Sequence, residues 1–138
     1  MKPGAIVVNT GRGPTVDNAA LYRQLFADAD LDGWAQLPTD VPDRHAYHQF
    51  VIRVPQEDRD PLIAHLRERG VACAIYYPIP FHRQPCFEYL GGKDGDCPVA
   101  EEAARTTLAL PIFQGLTEGE QMEVAAALAS YKKERVSS

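Results

Sequence analysis

The sequence is poor in residues that build covalent or metal-held frameworks. Its three cysteines, Cys73, Cys86 and Cys97, are odd in number and contain no C-x-x-C pair. A disulfide scaffold and a zinc knuckle are therefore not the organising principle, and buried free thiols are expected. Lysine is also scarce. Lys2, Lys93, Lys132 and Lys133 sit at a terminus, in a glycine-rich turn and at a polar helix end. None has the apolar surroundings that would depress its pKa for imine chemistry. No apolar run approaches the roughly 20 residues that span a bilayer, and the stretch behind Met1-Lys2-Pro3-Gly4 is too short for a signal peptide. A cytoplasmic protein without membrane contact is expected. Positive charge is not in excess: 14 basic against 19 acidic residues give a formal net charge of -5. The pI near 5.3 argues against nucleic acid as a partner, since a binder needs a basic face to neutralise phosphates.

What is present is an ordinary globular composition, 45% hydrophobic and 24% charged over 138 residues, which suits one self-sufficient core. The most distinctive stretch is Tyr76-Tyr77-Pro78-Ile79-Pro80-Phe81-His82-Arg83-Gln84-Pro85. Proline fixes φ and removes a backbone donor, so three prolines hold this segment on one extended path and present its side chains. Tyr76, Tyr77, His82, Arg83 and Gln84 on that path form a candidate ligand wall without a reaction centre.

Around this wall the pattern predicts an α/β, two-layer small domain: a short mixed or antiparallel sheet covered by helices, preceded by a strand-turn-helix unit. Ala5–Asn9 suits a strand, Gly11-Arg12-Gly13-Pro14 a turn, and Thr15 or Asp17 a cap for a helix over 16–29 with a stripe of Val16, Ala20, Leu21, Leu25 and Ala29. The aspartate-, glycine- and proline-rich residues 28–44 read as a connector that Trp34 anchors. A strand is expected over 47–54 with Phe50, Ile52 and Val54 inward. Asp60 would cap a helix over 60–69, with Pro61 at its first position and Gly70 as a left-handed stop. A second strand is expected over 71–77, then a short helix over 85–90. Asp96 would cap a helix over 97–109 carrying Val99, Ala103, Ala104, Thr107 and Leu108, followed by a brief extended piece at 110–113. Thr117-Glu118-Gly119-Glu120 fits a capping box for a last helix over 118–133 with Val124, Ala125, Leu128 and Tyr131 on one stripe.

Sharper chemistry weighs poorly against plainer readings. Gly11-Arg12-Gly13 could cradle a phosphate, but a lone G-x-G turn is far more often a tight connection. His82 and Cys86 have helical spacing, yet no second pair supports a metal and no orienting acid supports a Cys–His nucleophile. His65 is expected on a solvated helix face. Glu101 and Glu102 are explained by helix-dipole complementarity. No catalytic or metal-binding residue is therefore assigned.

Two resemblances add to this reading. The segment "MKPGAIVVNTGRGPTVDNAALYRQL" resembles a late nucleotide-domain segment of the NAD-dependent D-2-hydroxyacid dehydrogenases, up to about residue 34. That likeness implies substrate-carboxylate binding at Arg12. From about residue 37 onward, "HAYHQFVIRV", "RDPLIAHLRERGV", "IYYPIPFHRQPCF", "LGGKDGDCPVAEEAARTTLALPIF" and "LTEGEQMEVAAAL" are similar to the small C-terminal domain of the DegT/DnrJ/EryC1/StrS aminotransferases. Those enzymes use pyridoxal phosphate on nucleotide-linked keto sugars. The resemblance implies nucleotide-sugar contact through His82, Gln84 and Tyr76 or Tyr77. It also implies a large domain that holds the cofactor, so that none is bound by this chain alone.

The combined expectation is a chimera, residues 1–36 joined to 37–138, without independent turnover. A nucleotide-sugar binding module and an aminotransferase subunit completed by a partner chain are the alternatives. A homo-oligomer or the missing large domain would cover its exposed apolar surface.

Overall fold

In a computed structural model of the chain, residues 14–39 and 47–136 are described. The strand expected at 5–9, the turn carrying Arg12 and the side chain of Thr15, with its expected cap role, lie outside what is described. The order is α1 (Pro14–Asp28), β1 (Phe50–Arg53), α2 (Gln56–Glu68), two short 3-10 turns (Phe81–Arg83 and Pro85–Leu90), α3 (Pro98–Thr106), β2 (Thr107–Leu110) and α4 (Glu118–Val136). The α/β class with a short antiparallel sheet under helices is as expected.

The sheet is smaller and differently paired than expected. β1 and β2 are antiparallel, with Phe50 opposite Leu110 and Ile52 opposite Leu108. Residues 71–77, expected as a strand, contribute only a bridge from Ala74 to Ala109 on the far side of β2, while Gln36 bridges Arg53. Pro78 and Pro80 follow at once and cannot donate to a ladder. The helix expected over 97–109 ends at Thr106, and its intended last turn becomes β2. Thr106 and Thr107 hydroxyls donate to the carbonyls of Glu102 and Ala103 at 2.8 Å each, which satisfies the helix end as the chain turns extended. Pairing with β1 outweighed helix propensity at these β-branched positions.

Each helix shows which local signals were sufficient. α2 begins one turn early, after Pro55 rather than Asp60, and Pro61 lies inside it. At its other end Gly70 has φ +76°. Val71 N–H donates to Leu66 O at 2.9 Å and Gly70 N–H to Arg67 O at 3.0 Å, the paired bonds of a Schellman stop. α3 starts at Pro98 without a side-chain cap, so Asp96 does not cap it; the Asp96 carboxylate instead accepts the Lys93 amide at 2.7 Å. The capping box at α4 forms as expected: Thr117 N–H donates to Glu120 Oε2 at 2.8 Å and Glu120 N–H to Thr117 Oγ1 at 3.2 Å.

One core joins α1, both strands, α2 and α4. Phe50, Ile52, Leu62, Leu66, Leu108 and Leu128 are fully buried together with Tyr22, Phe26 and Leu31. Full burial of each such side chain stabilises the fold by about 2 kcal/mol. The buried stripe of α1 is Ala19, Tyr22 and Phe26, not the expected Ala20, Leu21, Leu25 and Ala29. Tyr22 sets this rotation: its ring lies 5.0 Å from Phe50 and its hydroxyl donates to Pro111 O at 2.8 Å. Burial pushes that hydroxyl well above the ordinary tyrosine range.

His65 is a second correction. It is buried, not solvated, and its Nε2 lies 2.8 Å from Ser130 Oγ, tying α2 to α4.

Candidate functional site

The proline segment emerges from the Ala74 bridge and runs over α3 along residues 100–105. Pro80 leads into the first 3-10 turn, and Gln84, extended at φ -70° and ψ 136°, separates it from the second. Phe81 and Phe87 stack at 4.2 Å between ring centroids and brace the two turns. A hollow of about 490 Å³ opens between this segment and α3, with Tyr76, Tyr77, Phe81 and Gln84 facing Ala100 and Ala103. The small alanine side chains of α3 make room for it. Tyr77 is 70% exposed and Phe81 67%, so the hollow is an aromatic wall open on one side.

A smaller hollow of about 200 Å³ lies behind the wall, bordered by His82, Arg83, Gln84, Glu88 and Gly92. Gln84 borders both. The expected site residues thus divide. Tyr76, Tyr77 and Gln84 meet at the larger hollow, and His82, Arg83 and Gln84 at the smaller. Arg83 is committed to its own loop, donating to Gly92 O at 2.9 Å and pairing with Asp94 at 2.9 Å. Gly92 lies so close beneath that a Cβ there would stand 2.5 Å from the His82 carbonyl oxygen. Cys86 Sγ points to Gln84 Oε1 at 3.8 Å.

The residue that sequence reasoning missed is Glu101. It lies in the first turn of α3, where the helix dipole by itself accounts for an acid. Its carboxylate instead turns back and meets His82 Nε2 at 3.0 Å, with the two side chains 12% and 17% exposed respectively. Desolvation pushes the Glu101 carboxyl up, but the Gly95 amide, the His82 ring and the Cys97 amide outweigh it and hold it below the ordinary carboxylate range. An orienting acid for His82 is therefore present. No periodicity could have marked it, because the contact depends on the 91–97 turn.

Free thiols are not buried as expected. Cys86 and Cys97 are exposed and Cys73 is half-buried. Among the described residues no cluster of three or more His, Cys, Asp or Glu could hold a metal, and no helix is long and apolar enough to cross a membrane. The described lysines are equally informative: Lys132 pairs with Asp30 at 3.2 Å, while Lys93 and Lys133 stand exposed. This donor set does not fit pyridoxal phosphate, which requires an enclosed lysine, an acid at the pyridine nitrogen and a phosphate cradle.

A model of the DegT/DnrJ/EryC1/StrS aminotransferase family matches residues 15–129. The "Pleiotropic regulatory protein" of Geobacillus stearothermophilus is 43% identical over 115 residues, covering 83% of this chain and 30% of that protein. The UDP-N-acetyl-3-dehydro-alpha-D-glucosamine 3-aminotransferase of Acidithiobacillus ferrooxidans is 39% identical over 84 residues, covering 61% and 22%. Among solved structures, S. venezuelae DesV in complex with a ketimine intermediate superposes with a TM-score of 0.77 at 32% identity, over 86% of this chain and 31% of DesV. NtdA of Bacillus subtilis with bound PMP gives 0.77 at 29% identity, over 87% and 28%. The chain spans less than a third of the length of each of these relatives.

Proposed function

The chain belongs to the DegT/DnrJ/EryC1/StrS aminotransferase family, and we propose that it is the C-terminal small domain of a nucleotide-sugar aminotransferase. In this reading it supplies one wall of the sugar-nucleotide cleft and carries no turnover of its own. The observation that carries the reading is the open hollow in which Tyr76, Tyr77, Phe81 and Gln84 face α3. Aromatic faces suit a base or a sugar ring, and one amide side chain among them suits a ligand rich in hydroxyl and carbonyl groups. Arg83 is the weakest of the proposed contacts, because Asp94 and Gly92 already hold it. Arg12 is proposed on resemblance alone.

Pyridoxal phosphate would belong to the large domain, where it supplies the electron sink for amino-group transfer. This chain's part would be to bind and orient the sugar and to exclude water from one side.

The reading is tested by calorimetry of the chain with UDP-N-acetylglucosamine and a dTDP-hexose. Heat of binding that disappears in Tyr77→Ala and Gln84→Ala supports it, and no heat from the folded wild-type chain removes it. The same solution should show no absorbance change with pyridoxal phosphate.

A second reading, a subunit completed by a partner chain or by a second copy, is favoured by the exposure of Tyr77, Phe81, Tyr89 and Leu90 along one segment. Solution mass with and without a large-domain partner tests it. The amino-terminal part, set off in the sequence near residue 36, matches the family from residue 15, so we propose a separate origin only for the residues before that match. The folded core spans the boundary near residue 36, since Tyr22, Phe26, Leu31 and Ala35 are buried with Phe50 and Leu128. Deleting residues 1–36 should therefore abolish cooperative melting.

A further inference from the structure

We propose that Glu101 is a positioning residue for His82, fixing which ring nitrogen the loop offers to a ligand. The nucleotide-sugar reading enters only in the identity of that ligand.

Glu101 is itself immobilised. The Gly95 amide donates to both of its oxygens, at 2.9 and 3.0 Å, and the Cys97 amide reaches Oε1 at 3.4 Å. A carboxylate receiving backbone donors is favoured in its charged form. Charged, it can only accept hydrogen bonds. His82 Nε2, 3.0 Å from Oε1, must then carry the proton and donate to it. The neutral imidazole is left with Nδ1 as its acceptor, and the charged ring would donate from Nδ1.

Helix-dipole complementarity explains why an acid is tolerated at the start of α3. It does not explain why the carboxylate turns back to the 91–97 turn instead of facing water. That turn is brought against His82 by Gly92, whose missing side chain lets it approach the His82 carbonyl. Loop, turn and helix thus meet at His82: the turn packs on its carbonyl and the α3 carboxylate holds its ring. The other charged groups of the smaller hollow are Arg83 and Glu88, and Arg83 is held by Asp94 and the Gly92 carbonyl. His82 therefore has one fixed carboxylate partner at Nε2 and one remaining ring function, that of Nδ1. On the nucleotide-sugar reading, that function is to accept a hydrogen bond from a sugar hydroxyl at Nδ1.

The experiment is nitrogen-15 NMR of the histidine rings at pH 8 without ligand, with His82 assigned by His82→Gln. The wild-type ring is expected as a single tautomer protonated at Nε2. In Glu101→Gln and Glu101→Ala the two tautomers should mix, while backbone signals of α2 and α4 stay in place. A wild-type ring protonated at Nδ1, or a tautomer balance unchanged in a folded variant, overturns the proposal. If neither variant folds, the wild-type tautomer alone decides. In a second arm, Glu101→Gln should weaken UDP-N-acetylglucosamine binding about fivefold. A wild-type chain that gives no heat with this ligand removes the nucleotide-sugar reading, and the unliganded tautomer still decides the role of Glu101.

Discussion

Trp34 and Asp58, 24 positions apart, are joined by a 2.9 Å hydrogen bond from the indole Nε1 to Oδ2. Asp58 also takes the Arg135 guanidinium and lies 3.4 Å from the Tyr131 hydroxyl, so this one carboxylate ties the connector, α2 and α4 together. Its side chain is 4% exposed. Asp58→Ala should destabilise the chain by about 2 kcal/mol, the usual loss for hydrogen bonds to a charged group. Trp34→Phe keeps the ring against Tyr131, 5.9 Å away, and should lose only about 1 kcal/mol. Urea melts compare the two, and equal losses would refute the role given to the indole N–H.

Acid should unfold the protein through a small set of carboxylates. Burial pushes Asp58 up, but Arg135, Trp34 and Tyr131 outweigh it, and its carboxyl titrates below the ordinary range. Bonds from Thr117 lower Glu120 in the same direction, and Glu101 is also lowered. For a carboxylate depressed by folding, the unfolded chain binds more protons, so its contribution is present above an unfolded pKa of about 4 and is lost as pH falls through the folded value. Melting temperature should therefore fall steeply below about pH 4, and Asp58→Asn should flatten that slope. A mutant slope as steep as wild type would contradict the assignment.

Gly92→Ala should disturb the site and spare the core. The added Cβ would sit 2.5 Å from a backbone oxygen, which no rotamer change can relieve, so the turn must move and the Arg83 bond to Gly92 must break. Amide shifts should change over residues 81–101 and stay unchanged in α4. A spectrum identical to wild type would show that the two segments are not held so closely.

Thiol reactivity should divide the cysteines two to one. Cys86 and Cys97 are exposed, whereas burial raises the Cys73 thiol against a smaller lowering by Arg67, which reduces its thiolate fraction. With a disulfide reagent at pH 8, two equivalents should react quickly and one slowly. Three equal rates would contradict the half-buried position of Cys73.

Local signals of the sequence determined several features by themselves. The Thr117–Glu120 capping box, the Gly70 stop, and the inward faces of β1, α2 and α4 follow from bonds or periodicities within a few residues. The prolines marked residues 76–85 as a constrained segment because they act on their own backbone, but not its 3-10 turn at Phe81–Arg83 or its division between two hollows. Tertiary structure alone decided the rest. The strand Thr107–Leu110 exists because Phe50–Arg53 pairs with it, α1 turns on Tyr22 because Phe50 and Pro111 receive it, and Glu101 leaves the helix dipole for His82 because the Gly92 turn brings them together. Each depends on partners dozens of residues away or on a turn folding back, and such contacts leave no period in the chain.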